Sequence, residues 1–386
     1  MDIANHRPDF VAQDDAPRRA ARSAHSFRLV NTGLRLAAPV APPQGAWEAG
    51  FARLSDWLGI ALDPVSAPRA PGLRKVAGWA LGQAAPAALQ FAPWQAISPV
   101  ALQQAASPDL PRADWAVSYL FEHGPGSAVR AGTLDLALIS PHPAACSTDE
   151  EGTPPLPRLA VLEAMLHAAR AEGRTRIAMI VPSRQRNAMA RQLLLADRAL
   201  TREGLELEVL AVEAALAGLN CARPRWDALI VMPDLRSIVF ALLAEATGRK
   251  GPWPMLWHSA NGPVLVASEA LCEAGARLPF DAPVLVQTLA LTLHHAGMAT
   301  AARRLHEAAA RLRDSGVVTA SRGSSAPYVK TLEDAEYIAV VCAVTASSQR
   351  AAPHWHALAA SLAGGAAAAC PSRLELVASN APSPRP

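Results

Sequence analysis

At 386 residues, 51% hydrophobic and 18% charged, the chain has the material for a large core, one domain or two, which excludes global disorder. A net charge of only +3, with no dense basic stripe interleaved with aromatics, argues against nucleic-acid binding. Five scattered cysteines without a CxxC pair read as reduced thiols, residues 1–25 lack the apolar core of a secretory signal, and no apolar run of roughly 18 residues exists to span a membrane, so a soluble cytoplasmic protein is expected.

In chain order, residues 1–25 are polar and read as a mobile tail, and Phe27 to Val30 as a first strand. Gly45 to Ile60 has helical spacing, with Trp47, Phe51, Leu54 and Leu58 on one face. A Pro/Ala-rich passage through Pro99 reads as a crossing between domains. Asp114 to Phe121 and Thr133 to Ile139 are strands, and Arg158 to Ala171 is an amphipathic helix. The strand Arg176 to Val181, the Arg-rich helix Gln185 to Leu200, the strand Leu205 to Val212 and the helix Glu213 to Leu219 follow. Ala228 to Met232 is a strand running into a helix with Ile238, Val239, Leu242, Leu243 and Ala246 at apolar spacing, and then a His258-Ser259-Ala260-Asn261 loop. Pro283 to His295 is a buried apolar helix, and Ala299 to Asp314 is amphipathic, with Ala301, Leu305, Ala308 and Leu312 inward and Gly316 as its stop. Glu333 to Cys342 is the last helix, and the Ala/Gly/Pro/Ser-rich remainder reads as a loosely ordered extension. Strands alternating with helices predict an α/β class with a mostly parallel sheet.

Colinear stretches give this order a family likeness: LRK at 73–75, DWAVSYLFEHG at 114–124, RIAMIVPS at 176–183, DALIVMPDL at 227–235, HSAN at 258–261, DAPVLVQTLALTLHHAG at 281–297, SGVVT at 315–319 and TLEDA at 331–335. From about residue 73 to 341 the chain resembles the isocitrate/isopropylmalate dehydrogenase family. The resemblance implies a two-domain α/β fold with discontinuous domains. A large domain would combine 26–97 with 248–346, and a small domain, 98–247, would carry the dimer contact, with 1–25 and 347–386 as terminal extensions. It also implies a homodimer, or a heteromer with an active family member.

The family's chemistry, oxidation of a 2-hydroxy acid by NAD(P) followed by decarboxylation, uses carboxylate-held metal, a Lys, a Tyr and substrate-clamping arginines. By resemblance, the metal carboxylate positions fall at Ile238 and Leu242. The Lys position falls at Pro182 or Ser183, and the Tyr position at Gly126. Arg74 keeps one substrate-binding place, whereas Ala84 and Tyr119 stand at two others. His258, Ser259, Ala260 and Asn261 are the cofactor-binding candidates, but the ribose-reading Asp gives way to Gly262-Pro263 and the adenine-contacting Asn to Ala282. With only three lysines, none between Lys75 and Lys250, no substitute base is at hand.

Other readings stay open at single residues. Asp227 and Asp234 serve as turn or cap residues or as metal ligands, His294 and His295 as packing groups or ligands, and Glu122-His123 as an acid/base couple or a turn. The main expectation is a catalytically degenerate relative acting as a scaffold, regulatory or assembly subunit, with no catalytic residue, no metal site and no cofactor. The alternatives are an NAD-dependent dehydrogenase with a rebuilt site, using NAD(P) and Mg²⁺ or Mn²⁺, and a sensor of small ligands in the old interdomain cleft near Trp253 and Trp257.

Overall fold

The computed structural model describes residues 37–38, 45–59, 65–66, 89–103, 110–122, 134–147, 155–196, 205–221, 223–248, 251–272, 278–322, 329–344 and 355–358. Arg74, Gly126, Phe27 to Val30, Ala84, His123 and Cys370 lie outside them.

The strands are β1 (Ala37–Ala38), β2 (Val65–Ser66), β3 (Gln90–Ile97), β4 (Trp115–Glu122), β5 (Leu134–Pro141), β6 (Cys146–Ser147), β7 (Leu156–Pro157), β8 (Arg176–Val181), β9 (Glu206–Ala211), β10 (Ala228–Val231), β11 (Trp253–Ser259), β12 (Gly262–Glu269), β13 (Val317–Thr319) and β14 (Lys330–Leu332). The helices are α1 (Ala46–Leu58), α2 (Leu159–Ala171), α3 (Arg186–Leu195), α4 (Val212–Leu219), α5 (Arg236–Ala246), α6 (Ala282–His295), α7 (Ala299–Asp314) and α8 (Asp334–Ala343).

Among the described residues ten strands form one sheet in the order β2-β1-β3-β12-β11-β4-β5-β10-β8-β9. The pairings from β2 to β12 and from β5 to β9 are parallel, and the three around β11 and β4 are antiparallel. Two oppositely directed parallel blocks are thus joined through an antiparallel centre. β8 and β10 are apolar at nearly every position because both faces of the sheet are covered. One face carries the larger core, built from α1, α2, α3, α6, α7 and α8 residues, and the other packs α4 and α5 through Leu219, Phe240 and Leu243.

Local chemistry sets the boundaries. Asp281 caps α6 by accepting from the Val284 N–H at 2.9 Å, with Pro283 in the first turn, where a missing N–H is harmless. Gly316, at φ +78°, takes the left-handed conformation just past α7 that a Cβ would disfavour.

Several expectations need correction. The Pro/Ala-rich passage contains regular structure: its residues 90–97 form interior strand β3. Pro93 is tolerated there because the β3–β12 ladder slips between Val266 and Ser268, and its carbonyl accepts from Ser268 Oγ at 2.7 Å. The His258–Asn261 loop is the end of a hairpin, since β11 and β12 pair antiparallel up to Ser259 and Gly262. α3 stops at Leu195, and the inner face of α5 is Arg236, Val239, Phe240, Leu243 and Ala244, with Ile238 turned outward and 50% exposed.

At Gly218 in α4, a Cβ would stand 2.5 Å from the buried Trp226 ring. Gly218→Ala is therefore expected to destabilise by about 1–3 kcal/mol despite alanine's better helix propensity, because the indole must move. Urea unfolding of the variant checks it.

Candidate functional site

The carboxyl ends of β8 and β10, beside that of β5, adjoin the positions where the resemblance puts the Lys and the metal carboxylates. Ser183 opens a short turn after β8 and donates to Glu213 Oε2 at 2.6 Å, a bond that lowers the Glu213 carboxyl. Ile238 faces outward and Leu242 is partly buried, so no oxygen donors of the kind a hard divalent cation takes stand at either place. Asp227 accepts from the Thr175 and Arg176 N–H groups at 3.0 Å each and ties β10 to β8, a structural role. Burial raises the Asp234 carboxyl, and it pushes the Cys146 thiol up to about 12 with help from Asp234, so this sulfur stays protonated. Among the described residues, no group of three or more His, Cys, Asp or Glu side chains is placed to hold a metal ion.

Just inside this edge lies a feature the sequence reading missed. Arg236, in the first turn of α5, is fully buried and forks onto Glu269, Nε to Oε1 and Nη2 to Oε2, each at 2.7 Å. Its remaining donors reach Ser118 Oγ at 2.9 Å, Ser140 Oγ at 2.8 Å and the Leu138 carbonyl at 3.2 Å, and Ser118 Oγ in turn donates to Glu269. The bidentate geometry and full satisfaction are what such a pair requires inside a core. The available signal was an arginine opening an apolar helix and a glutamate ending an apolar strand.

On the opposite face, Tyr119 donates from its hydroxyl to Glu172 Oε1 at 2.6 Å. Glu172 Oε2 accepts from Arg174 Nε at 2.7 Å, and Arg174 Nη2 reaches Asp135 Oδ1 at 3.0 Å. Asp135 Oδ2 takes the His356 backbone N–H at 2.6 Å and meets its ring Nδ1 at 2.9 Å. Burial alone would raise the Asp135 carboxyl; Arg174 and then His356 outweigh it and hold it low. Burial and the neighbouring Glu172 carboxylate push the Tyr119 phenol well above its ordinary value, so it serves as a donor and not as a base. Trp355, 2% exposed, packs against Tyr119, Phe121 and His306 with ring centroids 5.9, 5.3 and 5.7 Å away. Residues 355–358 are thus a docked part of the region expected to be loosely ordered.

Beside Trp355 lies a pocket of about 50 Å³, lined among others by Gln287, His306, Thr319, Tyr337 and the Glu122–Arg313 ion pair at 2.6 Å. That is room for water or a small polar group and well short of the several hundred Å³ of a cofactor site. Glu122 therefore ends β4 in an ion pair with α7.

The cofactor-binding candidates sit elsewhere. His258 lies inside β11 with its ring stacked on Trp115 at 3.9 Å, 9% exposed, while Ser259 closes the ladder and Ala260 and Asn261 form the exposed turn. The Ala260 N–H is taken by Asp114 Oδ2 at 2.8 Å. His258 packs in this stack, its pKa held well below the ordinary value by burial and by His295, whose ring is 5.9 Å away. Burial, with His294 adding to it, lowers His295 to about 3.

A histidine depressed in the folded state leaves the unfolded chain to take up the proton first. Stability is full above about pH 6.5 and falls with the pH below it, by roughly 2 kcal/mol at pH 5 for each fully neutral histidine. Asp234 and Asp281, raised by burial, work in the opposite sense. Thermal melts at pH 7 and pH 5 are expected to show the loss, and His258→Phe to reduce it; a flat profile in the parent protein would contradict the assignment.

No family model matches the chain, and no curated protein matches it in sequence. Solved structures do match. The chain is similar to the isocitrate dehydrogenase from Methylococcus capsulatus, at 16% identity and a TM-score of 0.51, over 80% of this chain and 98% of that one. It is similar to the TT0538 protein from Thermus thermophilus at the same identity and TM-score, over 80% of this chain and 67% of that one. Together with the ten-stranded, mostly parallel sheet covered on both faces, the likeness establishes that this chain has an isocitrate-dehydrogenase-like α/β fold.

Proposed function

We propose that this protein is a catalytically degenerate relative of the isocitrate/isopropylmalate dehydrogenases, acting as a scaffold, regulatory or assembly subunit. The observation that carries the proposal is Tyr119. It occupies the place of a substrate-clamping arginine by resemblance, its hydroxyl is committed to Glu172, and Trp355 covers its ring. A dicarboxylate needs guanidinium partners it can reach, whereas Arg174, the nearby cation, is buried and bonded to Glu172, Asp135 and the Asp227 carbonyl. Ile238, Leu242 and Ser183 support the same reading at the metal and proton-transfer positions.

In this proposal the chain works as a cytoplasmic homodimer or beside an active family member, with residues 98–247 supplying the contact and 26–97 plus 248–346 the other domain. Titrations with NAD(H), NADP(H) and Mn²⁺, singly and together, are expected to leave the melting temperature unchanged within about 1 °C. Joint stabilisation by cofactor and metal would overturn the proposal and favour a rebuilt dehydrogenase. Stoichiometric co-purification with an active dehydrogenase would identify the assembly role.

A further inference from the structure

On the outer side of α7, away from Tyr119, runs a groove of about 650 Å³, lined by Trp57 of α1, Thr300, Arg303, Arg304, Glu307 and Arg311 of α7, and the end of α8 at Cys342 to Val344. Positions 300, 303, 304, 307 and 311 recur at helical spacing, so one stripe of α7 faces the groove. The volume is that of a small-molecule site.

The charge in the groove is unbalanced. Among the described lining residues Glu307 is the one carboxylate, and it pairs with Arg311 at 3.3 Å. Arg304 lays its guanidinium over the Trp57 ring, 4.3 Å from the centroid, an orientation that fixes the cation without neutralising it. Arg303 is exposed beside it. Arg311 Nε is buried and has no hydrogen-bond acceptor among the described residues. Arg53 contributes a further positive field, since it and Arg304 both act on the Cys342 thiol to lower a pKa that burial raises. Neighbouring guanidiniums on one helix face repel one another, and an anion among them relieves that repulsion. Arg303 and Arg311 are eight residues apart, about 12 Å along the axis, so the groove suits an anion with several charged groups in a row better than a single carboxylate.

We propose that this groove is a binding site for an oligophosphate group, with Arg303, Arg304 and Arg311 as its ligands and Trp57 as its wall. Arginine matches phosphate oxygens bidentately, and the phosphate chain spans the stripe. The proposal is independent of whether the dehydrogenase-like cleft is active.

The test is calorimetric titration of the full chain with tripolyphosphate at 50 and 200 mM salt, beside the Arg303→Ser/Arg304→Ser variant, whose changes lie on exposed side chains and spare the core. Binding that weakens at the higher salt and falls at least tenfold in the variant supports the site. Protection of Cys342 from alkylation by tripolyphosphate, read by peptide mapping, places the ligand in the groove. Adenosine triphosphate bound more tightly than tripolyphosphate identifies a nucleotide as the source, and equal binding a free oligophosphate. Absence of binding at 1 mM tripolyphosphate, or binding unchanged in the variant, overturns the proposal.

Discussion

Glu269→Ala is expected to lower the unfolding free energy by about 3–5 kcal/mol, one of the two largest losses foreseen for a single substitution here, because it leaves the Arg236 guanidinium buried without its counter-charge. Ser118, Ser140 and the Leu138 carbonyl would still accept from Arg236, yet none carries a negative charge. The pair itself is worth far less than its breakage suggests. Removing both partners together, as in Arg236→Met/Glu269→Leu, is expected to recover most of the loss, since two desolvation costs vanish with the ion pair. Urea unfolding measures both variants, and an unchanged m-value shows that stability has changed without a change in the surface exposed on unfolding. A single variant within 1 kcal/mol of the parent would mean that water reaches Arg236.

Trp355→Ala is expected to cost about 3–5 kcal/mol through lost burial and the cavity left against Tyr119, Phe121 and His306. Trp355→Phe, which keeps a ring in place, should cost markedly less. The same substitution bears on function in a way that Glu269→Ala does not. With the indole gone, the Tyr119 ring loses its cover, while Glu172, itself held by Arg174, still accepts from its hydroxyl. If the cleft is degenerate, the opened variant gains no affinity for NAD(H) with Mn²⁺. A gain would show that the cover alone masked a working site.

The parts of the fold legible in the sequence were those whose signal is local. Arg176–Val181 and Ala299–Asp314 coincide with their expected limits because the first is a continuous apolar run ended by a turn and the second follows one helical period ended by Gly316. β3 was illegible because Pro93 is a strand breaker everywhere except at a bulge, and the bulge is made by a partner some 170 residues away. The α5 face was misjudged for a related reason. A buried arginine contradicts the apolar pattern, and the helix is turned so that Arg236 reaches Glu269 while Ile238 meets solvent.

The candidate site divides along the same line. The resemblance points to positions 183, 238 and 242 because each is a single position in an ordered stretch, with Ser183 opening the turn after β8 and Ile238 and Leu242 lying on α5. The docking of Trp355 and His356 onto β4 and β5 could not, because an Ala/Pro-rich context carries no sign of where an isolated tryptophan will land. Nor could the stacking of His258 on Trp115, which only the pairing of β11 with β4 creates.

The arrangement of the sheet as two opposed parallel blocks also orders the chain's folding as it is synthesised. Every pairing of β5, β8, β9 and β10 with one another is complete within residues 134–231. β3, by contrast, precedes all four of these strands and has its long ladder with β12, whose last residue is Glu269. As the chain leaves the ribosome, the later block can close on itself, while the apolar strand made before it waits for a partner not yet translated.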